Sequence, residues 1–167
     1  GPGTGRDIAI GPLISDAALE KVQRLVADAQ ARGATCVLGG EAMPALGPRF
    51  FAPTLLTGVD PLMALSCEEV FGPMVPVMRF ETEAEAVAIA NGTEYGLVAG
   101  IWTRDGDRQA RMARAMRCGQ VFINAYGAGG GIELPFGGLR RSGHGREKGF
   151  AALYEFSRLK TVVHRFA

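Results

Sequence analysis

The sequence has no excess of charge of either sign. Its 18 basic and 17 acidic side chains leave a net charge of +1 over 167 residues. No basic stripe stands out, so nucleic acid has no electrostatic footprint to bind. Long apolar runs are missing as well. Each run is short and broken by Gly, Pro or a charge, which argues against a membrane span. The opening Gly1-Pro2-Gly3-Thr4-Gly5-Arg6-Asp7 has no basic segment followed by an apolar stretch, so it does not read as a secretory leader. It reads as a loop cut open. Cysteine is scarce: Cys36, Cys67 and Cys118 are too few and too scattered for a disulfide framework. A reducing, cytoplasmic setting is the resulting expectation. The two histidines, His144 and His164, are too few for a metal centre even with the cysteines added.

What is present suits a folded domain. Hydrophobic residues make up 47% and charged residues 21%, enough apolar surface for one chain of this length to bury a core. Ser15 is placed to cap a helix, with Asp16 in its first turn, where the helix dipole favours an acid. Leu19, Val22, Val26 and Ala29 recur at helical spacing until Gly33 closes the element. Thr35 to Leu38 is an apolar run stopped by Gly39-Gly40 and predicts a buried strand. Phe50 to Leu56 and Met74 to Phe80 predict two more. Thr82 followed by Glu85 is a capping box opening a second helix, whose apolar face is Ala84, Val87 and Ala88 and whose end is Asn91-Gly92. Gly96 to Thr103 predicts a buried strand, Asp105 to Arg117 a third helix capped by Gly119, and Val121 to Ile123 a strand. Gly149 to Ser157 predicts a short helix and Leu159 to Phe166 a final strand. Alternating helices and strands imply crossovers, hence an α/β fold with a mainly parallel sheet covered by helices on both faces. The final strand is apolar on both faces, and such an edge needs a partner.

Three segments bear on chemistry. Glu68-Glu69-Val70-Phe71-Gly72-Pro73 is either a polar strand end with a turn or a site in which a carboxylate accepts from a vicinal diol beside an aromatic ring. A carboxylate suits that task, being acceptor-only when ionised. Gly127-Ala128-Gly129-Gly130-Gly131 lacks the spacing of a dinucleotide loop, and Ile132-Glu133-Leu134-Pro135 after it cannot open a helix. These glycines read as an adaptable loop at a pocket rim, without a fixed cation for an anionic substrate. The third is Glu133 to Glu147, with Pro135-Phe136-Gly137-Gly138, Ser142-Gly143 and Gly145-Arg146-Glu147.

In that order, the first and third segments resemble the C-terminal part of the NAD(P)-dependent aldehyde dehydrogenases. Further landmarks fall where that family has them. They are Gly11-Pro12-Leu13-Ile14, Gly39-Gly40, Phe51-Ala52-Pro53-Thr54-Leu55, Asn91-Gly92-Thr93-Glu94-Tyr95-Gly96-Leu97 and Lys160-Thr161-Val162. The resemblance implies that Glu69 holds the nicotinamide ribose hydroxyls of NAD or NADP and that Phe71 packs on that ribose and ring. It places Phe136 in the wall of the tunnel through which the aldehyde approaches, with Tyr126 to Glu133 as the loop that selects among substrates. Residues 1–157 would be the C-terminal part of the catalytic domain and 158–167 a terminal oligomerisation strand. The parent would then be a homo-oligomer, a dimer or a tetramer.

The family oxidises an aldehyde to a carboxylic acid through a cysteine thiolate and a general-base Glu, both upstream of the Gly-Pro-Leu-Ile landmark. The resemblance therefore assigns no catalytic residue to this chain, which is expected to be inert by itself. Cys67 lies beside the cofactor motif, but the two carboxylates that follow it disfavour a thiolate. It reads as a small buried residue, and Cys36 and Cys118 as packing. His144, in its Gly-rich loop, reads as solvated. Two alternatives stay open. The chain could be a non-enzymatic oligomerisation module, or part of an acylating or phosphorylating relative, which the upstream general base would distinguish.

Overall fold

The computed structural model describes residues 1–127 and 131–166. They fall into two compact units, Gly1–Glu81 and Thr82–Ala167. Ala128, Gly129 and Gly130 of the Gly-rich loop lie outside the described residues.

The first unit is organised by helix α1, Asp16–Ala31. Ser15 caps it as the sequence predicts: its Oγ accepts from the Ala18 N–H at 3.1 Å. The helical spacing puts Val22, Val26 and Ala29 on one buried face, which Leu25 joins. That face packs with residues of strand β2, Thr54–Thr57, helix α2, Ala64–Cys67, and strand β3, Met74–Pro76, in one apolar cluster centred on Leu25 and Leu56. Both leucines are fully buried, each worth about 1.5–3 kcal/mol of transfer free energy. β2 is the middle strand. It pairs in parallel with β3, from Thr54↔Met74 to Leu56↔Pro76, and antiparallel with β1, Thr35–Leu38. Pro76 is tolerated because β3 is an edge.

Three expectations for this unit need correction. The strand predicted over Met74 to Phe80 stops at Pro76. β1 forms where predicted but is not buried: Val37 is 53% and Leu38 59% exposed. It is an edge strand, with its register shifted between Cys36 and Leu38. The strand predicted over Phe50 to Leu56 is two pieces, an isolated bridge of Phe51 to Ala42 and then β2. Pro53, which has no N–H to donate, lies between them.

The second unit contains helix α3, Glu83–Asn91, strand β4, Val98–Ile101, helix α4, Gly106–Ala115, strand β5, Gln120–Ile123, and helix α5, Gly149–Glu155. Thr82 Oγ1 accepts from the Glu85 N–H at 3.1 Å, and an Asp105 carboxylate oxygen accepts from the Arg108 N–H at 3.0 Å. Both caps are side-chain acceptors on otherwise orphaned helix donors. β4, α4 and β5 form one crossover, with the strands parallel from Val98↔Gln120 to Ile101↔Ile123. α4 stops before the predicted Gly119 cap. Asn91 ends it: its Nδ2 donates to Ala115 O at 2.9 Å, and its Oδ1 accepts from the Arg117 N–H at 2.8 Å. Glu83 ties α3 to α4 through Arg111 at 3.0 Å and Arg108 at 3.2 Å. The hydrogen bond from Arg111, with its charge and that of Arg108, holds the Glu83 carboxyl below its ordinary range.

The α/β class is as expected, and two of the three ladders are parallel. The predicted strand over Leu159 to Phe166 is not formed: residues 157–166 have no ladder and are exposed. A strand exists only where another backbone takes its N–H and C=O groups, and no described segment does so here. No described helix is long and apolar enough to cross a membrane.

Candidate functional site

The acidic motif follows α2 and is laid onto α1. Lys21 and Arg24 are one turn apart on that helix, so their side chains share a face. The Lys21 ammonium donates to the Glu69 backbone carbonyl. Arg24 Nη2 donates to Glu68 Oε2 at 2.7 Å. Both members of that ion pair are about half exposed, so it contributes only about 0.2–1 kcal/mol. Its effect is orientation. It ties up the first carboxylate and leaves the second, since among the described residues the Glu69 carboxylate has no hydrogen bond or ion pair and is exposed.

Phe71 stands beside it, 76% exposed and with φ +48°, a conformation unusual for a bulky side chain. The backbone strain is held by the next residue. Gly72 is so close to α1 that an added Cβ would lie 2.5 Å from Val22 Cγ2. The glycine lets the motif approach the helix, and the turn then projects the Phe71 ring into solvent. An aromatic face and an unpaired carboxylate two residues apart suit a flat ring joined to a sugar diol. The sequence motif named Glu69 and Phe71. It did not name Lys21 and Arg24, although two cations at helical spacing are the signal for a face that meets a pair of acids.

Phe136 belongs to the second unit. It forms an antiparallel bridge with Glu147, each N–H donating to the other's carbonyl at 2.7 Å. Gln120 Nε2 donates to Pro135 O at 3.0 Å, tying the segment to the start of β5. The Phe136 ring is half-buried, with the Lys148 ammonium 5.7 Å from its centroid. Gly138 is buried, and Leu139 N–H donates to Gly96 O at 2.9 Å.

Arg140, Arg141 and Ser142 form a short 3-10 turn that the sequence did not announce. It brings the Asn91–Leu97 landmark and the Pro-Phe-Gly-Gly segment together. Arg140 Nη1 donates to Asn91 O at 3.0 Å and also to Thr93 O. Arg141 pairs with Glu94 at 2.7 Å, and Ser142 Oγ accepts from the Gly96 N–H at 3.1 Å. Two motifs more than forty residues apart are thus one structural feature.

The three cysteines are free, none being in a disulfide. Each donates to a backbone carbonyl: Cys36 to Leu38 at 3.3 Å, Cys67 to Pro61 at 3.4 Å and Cys118 to Gln120 at 3.1 Å. Burial pushes the Cys118 thiol above its ordinary range, with hydrogen bonding at the backbone working the other way. Cys67 corrects the sequence expectation, because it is exposed. The short helix α2 that carries it buries Leu65 instead. His144 is exposed, as expected.

A sequence profile of the aldehyde dehydrogenase family matches residues 1–162. The chain is 44% identical over 156 residues to betaine aldehyde dehydrogenase of Cereibacter sphaeroides, covering 93% of this chain and 32% of that protein. Among solved structures, it is 56% identical to a putative aldehyde dehydrogenase from Burkholderia cenocepacia, with a TM-score of 0.85 over 93% of this chain and 33% of that one. A Mycobacterium tuberculosis aldehyde dehydrogenase complexed with NAD+ is 36% identical, with a TM-score of 0.88 over 95% of this chain and 32% of that one. The chain spans about a third of the length of the curated relatives it matches.

Proposed function

Because the chain belongs to the aldehyde dehydrogenase family, we propose that it forms the C-terminal third of an enzyme that oxidises an aldehyde to a carboxylic acid with NAD+ or NADP+. The observation that carries this reading is the unequal pair of acids. Arg24 holds Glu68, while Glu69 keeps an exposed, unpaired carboxylate beside the exposed Phe71 ring. Glu69 would accept from both nicotinamide-ribose hydroxyls, and Phe71 would pack on the ribose and ring. When bound, the dinucleotide supplies the hydride acceptor. The chain's own part is positioning, which Lys21 supports by fixing the Glu69 backbone.

Phe136 would line the approach of the aldehyde, and the loop from Tyr126 to Glu133, only partly described, would set which aldehyde fits. Residues 1–157 would belong to the catalytic domain. Leu159 to Phe166, exposed and without a ladder in the single chain, would become a strand on pairing with another subunit, making the enzyme a dimer or tetramer. The even charge balance and scarce cysteines suit the cytoplasm.

The test is Glu69→Gln in the full-length enzyme. The amide keeps the size but loses the charge and one acceptor oxygen, so the nicotinamide is held less firmly and hydride transfer slows. Single-turnover NADH formation should fall about tenfold, or roughly 1.4 kcal/mol. An unchanged hydride step would take Glu69 out of the site.

A further inference from the structure

Arg146 takes no part in the reading above, yet the loop bearing Phe136 is built around it. Its Nη1 donates to Gly138 O at 2.9 Å, to Gly145 O at 2.9 Å and to His144 O at 3.3 Å. The guanidinium therefore joins the strand that leaves Phe136 to the segment that returns to Glu147. The fit is close on the other side too. A Cβ added to Gly137 would lie 3.0 Å from Arg146 Nη1 and 2.3 Å from Gly145 O. A Cβ added to Gly119 would overlap the Gly137 carbonyl oxygen. Gly137 thus leaves room for the arginine, and Gly119 leaves room for the Gly137 carbonyl.

We propose that Arg146 is a positioning residue. Its guanidinium clamps the Gly138, His144 and Gly145 carbonyls and so sets where the Phe136 ring stands. All three bonds come from one nitrogen, Nη1, which the rigid, planar guanidinium of arginine holds in place, whereas lysine offers a point charge on a flexible stem. Among the described residues, the Phe136 backbone is fixed by a two-bond bridge to Glu147 and, one residue earlier, by the bond from Gln120 to Pro135 O, so removing the clamp frees the hairpin to shift. For substrate, the inference rests on the reading of Phe136 as part of the aldehyde's path. A looser ring then harms long aldehydes, which must run along it, and spares acetaldehyde, which is too short to reach it.

Two measurements separate the parts. In the 167-residue chain, Arg146→Met should speed amide hydrogen exchange at Phe136 and Glu147 about tenfold, the size of one lost charge-assisted hydrogen bond. Arg146→Lys should fall between the two, and the β4 and β5 amides of the same unit should be unchanged, which shows that the variant is folded. Unchanged exchange at Phe136 and Glu147 overturns the clamp. In the full-length enzyme, Arg146→Met should raise KM for hexanal about tenfold while leaving acetaldehyde within about twofold. Faster exchange with equal losses for both aldehydes would keep the clamp but remove Phe136 from the substrate path. Such a result would overturn the substrate part of the inference and the reading it rests on, and would leave the Glu69 test untouched.

Discussion

Given NAD+ and simple aldehydes, the 167-residue chain should form no NADH. Aldehyde oxidation of this kind needs a thiolate poised to attack the carbonyl, and each of the three cysteines is instead hydrogen-bonded to a backbone carbonyl. Cys118 is held further from ionisation by burial. Cys67 is the exposed one, with Glu68 and Glu69 directly after it in the chain. The expected loss relative to a complete enzyme is the whole of the catalysed rate, about 10⁶-fold or more. Absorbance at 340 nm decides it. Turnover that survives repurification and vanishes with Cys67→Ala would contradict the assignment of this chain to positioning alone.

The second large effect is on stability and separates two apolar residues of one sheet. Leu56, on β2, is fully buried among α1 residues, whereas Val37, on β1, is 53% exposed. Leu56→Ala leaves a cavity in a packed core and should cost about 2–5 kcal/mol. Val37→Ala removes atoms that already face water and should stay within about 0.5 kcal/mol. Urea unfolding followed through the α1 amide signals measures both. Equal costs would mean that β1 is buried after all.

That contrast also marks the boundary of what the sequence could tell. The starts of α1, α3 and α4 were legible because a cap is local: Ser15, Thr82 and Asp105 each bind an N–H three residues on, whereas α2, which has no side-chain cap, was not foreseen. Burial of β1 was not. Thr-Cys-Val-Leu reads the same on an edge as in a centre, and only the strand order decides. The last segment reads as a strand by composition, but a ladder is a property of two backbones, and a single chain shows one. Glu69, Phe71 and Phe136 were singled out through motif resemblance alone. Their supports, from Lys21 to the Glu69 carbonyl and from Arg146 to three carbonyls of the Phe136 loop, were hidden because a backbone acceptor has no letter in the sequence. The positive φ of Phe71 and the close approach of Gly72 to Val22 were hidden too, since both are properties of the folded backbone.

The most direct measurement of the central claim is a crystal structure of the full-length enzyme with NAD+ bound. The account predicts the Glu69 carboxylate about 2.5–3.0 Å from the nicotinamide-ribose hydroxyls, with Glu68 still on Arg24 and the Phe71 ring against the ribose. A ribose held by other residues, with Glu69 turned to solvent, would contradict it.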